Sequence, residues 1–172
     1  MAQRRRREPE IPQAPVALDE KGEALSALVS EVFSERFEVE VDAAVDEVTI
    51  TAPASSVPDI CRISREDPRL DFDYLRCLSV VDYVERLEVN YHLFSLSKRH
   101  KMVLKTNVSP DEPVVPSVTS VWRGADWFER ECHDLFGVVF TGHPNLVPIL
   151  LYEGFEGFPG RKSFPFHDYD EW

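Results

Sequence analysis

The stretch WFERECHDLFGVVFTGHPNLVPILLYEGFEGFPGRKSFP, from Trp127 to Pro165, holds neither helical nor strand periodicity over most of its length. Between Val138 and Trp172 the aromatic residues Phe140, Tyr152, Phe155, Phe158, Phe164, Phe166, Tyr169 and Trp172 are interleaved with Gly142, Gly154, Gly157 and Gly160 and with Pro144, Pro148, Pro159 and Pro165. Glycine and proline work against regular structure. The aromatic rings, with large apolar areas, work against a solvated random chain. Such a segment has surface to bury and no evident place in itself to bury it, so it is expected to lie as an extended strap on another protein.

The rest of the chain supplies an ordinary core. At 172 residues and 43% hydrophobic composition it supports one domain with appendages. Its net charge of −12 is uneven: residues 1–17 carry +2 and the remainder −14. An acidic body is a poor ligand for phosphate backbones, so no nucleic acid partner is expected. The one basic run, Arg4 to Arg7, reads as part of a disordered leader. Cys61, Cys77 and Cys132 are far apart and never in a Cys-x-x-Cys pattern, which argues against a zinc ribbon, a bound iron–sulfur cluster or a disulfide framework. They read as buried thiols in a reducing compartment. No apolar run approaches the roughly 20 residues a bilayer span needs, and no secretory or mitochondrial targeting pattern follows the first arginines.

Leu25, Leu28, Val29, Val32 and Phe33 form one apolar stripe, predicting a helix within Leu18–Phe37. Phe37, Val39 and Val41, then Val48, Ile50 and Ala52, alternate with polar residues as two strands joined by a short turn. Ser56-Val57-Pro58-Asp59 reads as a capped helix start, with Pro68 as its stop. Three strands follow, at about Tyr74–Tyr83, Leu87–Ser97 and Met102–Val108, and their short links imply antiparallel neighbours. Val118, Val121, Trp122 and Ala125 suggest that a helix resumes at Ser117, with Gly124 dividing it from a second helix ending at Gly137. The expectation is an α+β fold, helices packed on a mostly antiparallel sheet in the order αββαβββ. The divisions are a leader (1–17), an α+β domain (18–137) and a docking tail (138–172).

Chemistry is harder to find. Glu131 and Asp134 share a helix face and suit a carboxylate-dependent hydrolase, whereas Glu129 points elsewhere; ion pairing accounts for the same residues without catalysis. Cys132, His133, Asp134 and His143 contain ligand types, but adjacent side chains on a helix diverge. Gly154, Gly157 and Gly160 lack the strand-to-helix context of a phosphate cradle. Arg161 and Lys162 stand out against the acidic background as contacts for an acidic partner surface.

The linked elements Glu129-Arg130-Glu131, Asp134-Leu135-Phe136-Gly137, Gly142-His143-Pro144, Gly154-Phe155-Glu156-Gly157 and Arg161-Lys162 with Phe164-Pro165 resemble the C-type, cluster-free subunit of the proton-pumping NADH:quinone oxidoreductases, the respiratory complex I family. This resemblance implies a peripheral-arm subunit that binds no cofactor and has no active site of its own. FMN, iron–sulfur clusters and quinone would belong to other subunits, and electrons would pass from NADH to quinone with proton translocation. It implies a tail docked on the quinone-site subunit (the D-type, 49 kDa subunit), neighbouring iron–sulfur subunits (B- and I-type), and a peripheral position on the cytoplasmic side of a prokaryotic cell membrane, reached only through the complex. The implied partner contacts are Glu129, Arg130, Glu131, Asp134, His143, Pro144, Phe155, Glu156, Arg161, Lys162, Phe164 and Pro165. His133, Val147-Pro148, Phe158, Gly160 and Ser163 depart from the family pattern, removing two cations and one anion from that contact. Related membrane-bound hydrogenases and ferredoxin- or F420-linked quinone reductases share this subunit type.

Overall fold

The computed structural model describes residues 18–44 and 46–165. The leader (1–17), with its arginine run, and Phe166, Tyr169 and Trp172 of the tail lie outside them.

Helix α1 (Glu20–Phe33) starts where Asp19 accepts the Gly22 N–H at 2.7 Å, and it buries Leu25, Val29, Val32 and Phe33. Strands β1 (Glu40–Ala44) and β2 (Glu47–Thr51) form the expected antiparallel hairpin, with Val41 opposite Ile50. Helix α2 (Val57–Glu66) carries Pro58 in its first turn, but Ser56 makes no side-chain cap. A 3-10 turn at Ala54–Ser56 feeds directly into the helix, leaving Ser56 in a helical rather than an extended conformation.

Strands β3 (Tyr74–Asp82), β4 (Leu87–Phe94) and β5 (Lys101–Val108) run as an antiparallel meander. The sheet order is β1-β2-β5-β4-β3, so β5 lies against β2, and those two strands are parallel, with Ile50 opposite Leu104. A side-chain period of two sends Leu78, Val80, Val89, Tyr91, Leu93, Met102 and Leu104 to the core face beneath the helices. The other face carries Thr49, Ser79, Glu88, Asn90, His92 and Lys105.

The structure corrects the expectation of a helix from Ser117. Strand β6 (Val114–Pro116) pairs in parallel with β7 (Val139–Thr141), turns occupy 117–124, and helix α3 (Ala125–Phe136) begins only after Gly124. Val118, Val121 and Trp122 are buried as expected, but in single turns closed by the Val121 and Trp122 N–H groups on the Val118 carbonyl and anchored by two longer-range bonds. Glu129 accepts the Val118 N–H, and the Trp122 indole donates to the Phe72 carbonyl. α3 ends at Gly137, whose φ of 72° is left-handed and whose N–H returns to the His133 carbonyl. No helix among the described residues is long and apolar enough to cross a membrane.

Candidate docking site

α3 presents two faces to two different tasks. Ala125, Glu129 and Cys132 point inward, whereas Trp127, Arg130, Glu131 and Asp134, at i, i+3, i+4 and i+7, form the stripe along which the tail runs. Asp134 Oδ2 accepts the N–H groups of Ile149, Leu150 and Leu151 at 3.1, 2.7 and 2.9 Å. Burial alone would raise the Asp134 carboxyl, but these three bonds outweigh it and hold the group below the usual carboxylate range. One turn earlier, Arg130 Nε donates to the Val147 carbonyl at 3.0 Å and Nη2 to the Pro148 carbonyl at 3.3 Å, with its guanidinium over the Trp127 ring. The charged residues of α3 thus satisfy a segment with no ladder partners of its own.

A second set of contacts holds the distal tail. The Gly160 N–H donates to the Leu135 carbonyl, Arg161 Nε to the Phe136 carbonyl at 2.7 Å, and Arg161 Nη1 to the Pro110 carbonyl at 2.9 Å. The Lys162 N–H donates to Asp82 Oδ2 at 2.8 Å. That bond, with a second from the Val84 N–H, holds the Asp82 carboxyl below its ordinary range. Phe158 lies so close over Gly137 that a Cβ there would sit 2.5 Å from the ring. Gly160 has no room for a side chain either: a Cβ would meet the Phe136 ring at 2.7 Å. Tyr152 meets Phe155 edge-to-face with centroids 5.3 Å apart, and Phe155 stacks on Phe164 at 5.9 Å. The strap is therefore latched along its own domain through Pro165, and the rings that lacked a burial place in the sequence find part of it there.

Beneath the start of the tail lies a closed polar cluster. Glu129 is fully buried and accepts from the Ser117 hydroxyl at 2.6 Å and the Val118 N–H at 2.7 Å. Burial overrides both bonds and pushes its carboxyl up to about 7. The buried His143 ring accepts the Asn145 N–H at Nδ1, which leaves Nε2 to donate to the Asp126 carbonyl at 3.3 Å; Asp126 Oδ1, 3.1 Å from Nε2, is not in hydrogen-bonding geometry, and Glu129 Oε2 lies 4.0 Å away.

The sequence-predicted residues consequently divide. Glu129, Asp134 and His143 are internal supports, and Arg130 and Arg161 are spent on carbonyls of the same chain. Glu131, Pro144, Glu156, Lys162 and Pro165 are exposed, while Phe155 and Phe164 are partly buried against each other. Glu129 does turn away from Glu131 as expected, but into the core. The carboxylate pair for a hydrolase is not assembled, since Glu131 faces solvent while Asp134 is occupied by three amides. Cys132 instead points its thiol at the Leu78 carbonyl and His133 its Nδ1 at the Val138 carbonyl, and no three metal-ligating side chains converge among the described residues. Sequence reasoning overlooked three exposed apolar residues beside the latch, Trp127 (63% exposed), Val147 and Leu150 (59%); Tyr152 of the aromatic tail is exposed as well (71%). The i, i+3, i+7 spacing of Trp127, Arg130 and Asp134 was the available signal.

Residues 50–170 match the family model described as the respiratory-chain NADH dehydrogenase 30 kDa subunit. The second C-type subunit of the NADH-quinone oxidoreductase of Rhizobium etli is 43% identical over 122 residues, covering 69% of this chain and 65% of that protein. The matched region thus spans just under two thirds of the relative's length. Among solved structures, a chain of the membrane-bound sulfane sulfur reductase, an archaeal respiratory membrane complex, superposes with a TM-score of 0.71 at 25% identity, covering 85% of this chain and 86% of that one. The trypsin-resistant fragment of Nqo5 superposes with a TM-score of 0.58, also at 25% identity, covering 72% of this chain and 98% of the fragment. With the matched residues running from β2 through the latched tail, the chain belongs to the family of the 30 kDa subunit of respiratory-chain NADH dehydrogenase, the C-type subunit of the NADH-quinone oxidoreductases.

Proposed function

We propose that this chain is a structural, cofactor-free subunit of a complex I-type NADH:quinone oxidoreductase. In that complex other subunits carry FMN and the iron–sulfur clusters, and electrons pass from NADH to quinone with coupled proton translocation. Its task is to brace the quinone-site subunit, beside the neighbouring iron–sulfur subunits, on the cytoplasmic side of the membrane. The observation that carries this reading is the latched tail. Asp134, Arg130, Arg161 and Asp82 spend their hydrogen-bonding capacity on holding backbone, while Trp127 of α3 and Val147, Leu150 and Tyr152 of the tail stay exposed. Large apolar side chains held out by a rigid frame suit burial against a protein partner, because little ordering entropy remains to oppose docking.

The likeness to the sulfane sulfur reductase chain favours a second reading, in which the same brace serves a related membrane complex with another electron donor or acceptor. Membrane-bound hydrogenases and ferredoxin- or F420-linked reductases fall within it.

Purification of the tagged full chain from its native membrane in mild detergent separates these readings. Co-purification of flavin- and quinone-binding subunits with NADH:quinone reductase activity supports the first, and a hydrogen- or sulfur-reactive partner set supports the second. A chain recovered alone from intact membranes refutes both.

A further inference from the structure

We infer that the docking face is an apolar ridge rimmed by unpaired carboxylates, and that it fits a partner protein whose apolar recess is bordered by Lys and Arg. This rests on the subunit reading above and reverses the sign of contact that Arg161 and Lys162 imply in the sequence.

The ridge is made by Trp127 of α3 and by Val147, Leu150 and Tyr152 of the tail. Arg130 holds these parts together by stacking on Trp127 while bonding the Val147 and Pro148 carbonyls. Glu131 lies one turn beyond Trp127 on the same stripe. Glu153 follows Tyr152, and Glu156 follows Phe155, whose ring packs against Tyr152. All three glutamates are exposed, and none takes part in a hydrogen bond or ion pair among the described residues.

No cation among the described residues forms an ion pair with them, although Arg76 of β3 acts on the same Cys77 thiol as Glu131 and so lies on its side of α3. Arg130 and Arg161 are turned onto backbone carbonyls, and Lys162 lies at the far end of the tail with its ammonium 6.0 Å from the Tyr83 ring centroid, beside the β3–β4 turn. The sequence after Pro165 adds Asp168, Asp170 and Glu171 and no Lys or Arg.

The charge decides among occupants. A second copy of a chain with net charge −12 would bring the same carboxylates against these, and an anionic bilayer would repel them as well. A basic-rimmed protein recess covers the rings and leaves the glutamates at the rim, where opposite charges chiefly set association rate and specificity.

The test uses the tagged full chain in its native membrane complex. A zero-length carbodiimide cross-linker is expected to join Glu131, Glu153 or Glu156 to lysines of the partner subunit. The triple variant Glu131→Lys, Glu153→Lys, Glu156→Lys is expected to be retained at least about tenfold less well than wild type at physiological salt. The corresponding triple Gln variant should fall between them. Circular dichroism and melting of the isolated variants are expected to match wild type, because all three positions are exposed. Should the Lys variant misfold, the wild-type cross-link map decides alone.

Retention of a folded Lys variant equal to wild type, or cross-links from Lys162 to partner carboxylates with none from the three glutamates, overturns the inference and leaves the subunit reading standing. Cross-links to a second copy of the chain, or ridge-dependent binding to phosphatidylglycerol vesicles, overturn it as well. A wild-type chain recovered without any partner subunit overturns both.

Discussion

Asp134→Ala removes the acceptor that Ile149, Leu150 and Leu151 share, and the structure allows the cost to be worked out. A net hydrogen bond to a charged group contributes about 1.5–3 kcal/mol when water is excluded. Here the amides are only partly buried and all three bonds end on one oxygen, Oδ2, so water recovers part of each. We take about 3 kcal/mol for the set, below the simple sum. The loss falls on the latch and not on the sheet, because Asp134 lies on the outer stripe of α3 and the central strands are held by a separate apolar cluster. Hydrogen exchange followed residue by residue is the assay. Amides 149–151 should exchange on the order of a hundredfold faster, at 1.36 kcal/mol per factor of ten, with the β4 and β5 amides unchanged. Asp134→Asn keeps an acceptor oxygen without its charge and should lose about half the effect. The wild type should show a matching pH dependence. Because the folded-state carboxyl lies below its ordinary value of 3.8, its contribution is complete above that pH and is lost as pH falls through the lowered value. Unchanged exchange at 149–151 in the Ala variant would refute the latch.

Three further outcomes follow from the same geometry. Glu129 has its folded-state carboxyl raised from 4.5 to about 7, so the folded chain holds that proton to higher pH and stability should decline across that window by up to about 3 kcal/mol; Glu129→Gln should flatten the dependence and melt above wild type at pH 8, and a less stable Gln variant there would contradict it. Gly137→Ala should cost about 1 kcal/mol for the left-handed backbone and displace the Phe158 ring, measured by thermal melting and by the ring's NMR shifts; an undisturbed ring would contradict the contact. Arg161→Ala should speed exchange at Gly160 and Lys162 by about tenfold, and Arg161→Lys should not restore it, because one ammonium cannot reproduce the guanidinium fork between the Phe136 and Pro110 carbonyls.

The helix α1, the β1–β2 hairpin and the β3–β5 meander were legible because each follows from local periodicity. An apolar stripe at 3.6 residues or an alternation at two can be satisfied by one burying surface. The stretch 117–124 was misread because Val118, Val121 and Trp122 have helical spacing yet are buried in turns. Glu129 and the Phe72 carbonyl claim the Val118 N–H and the Trp122 indole, and the local bonds onto the Val118 carbonyl close single turns that do not propagate. For the candidate site, the sequence pointed to the tail and to α3 but assigned their charges outward. A carboxylate or guanidinium suits a partner's hydrogen-bonding groups and those of its own chain equally well, and composition does not distinguish the two.

The sequence by itself determined that this chain would form an α+β body with an aromatic, glycine-jointed tail, because backbone freedom and apolar period are local properties. Through its linked motifs it also pointed to the family. The tertiary structure alone decided that β5 would lie parallel to β2 at the centre of the sheet, that Glu129 would be enclosed, and that Asp134 and Arg161 would clasp the tail. Those outcomes depend on which groups from distant parts of the chain compete for the same buried donors and acceptors. Glu131, Glu153 and Glu156 take no part in it and stay exposed to solvent.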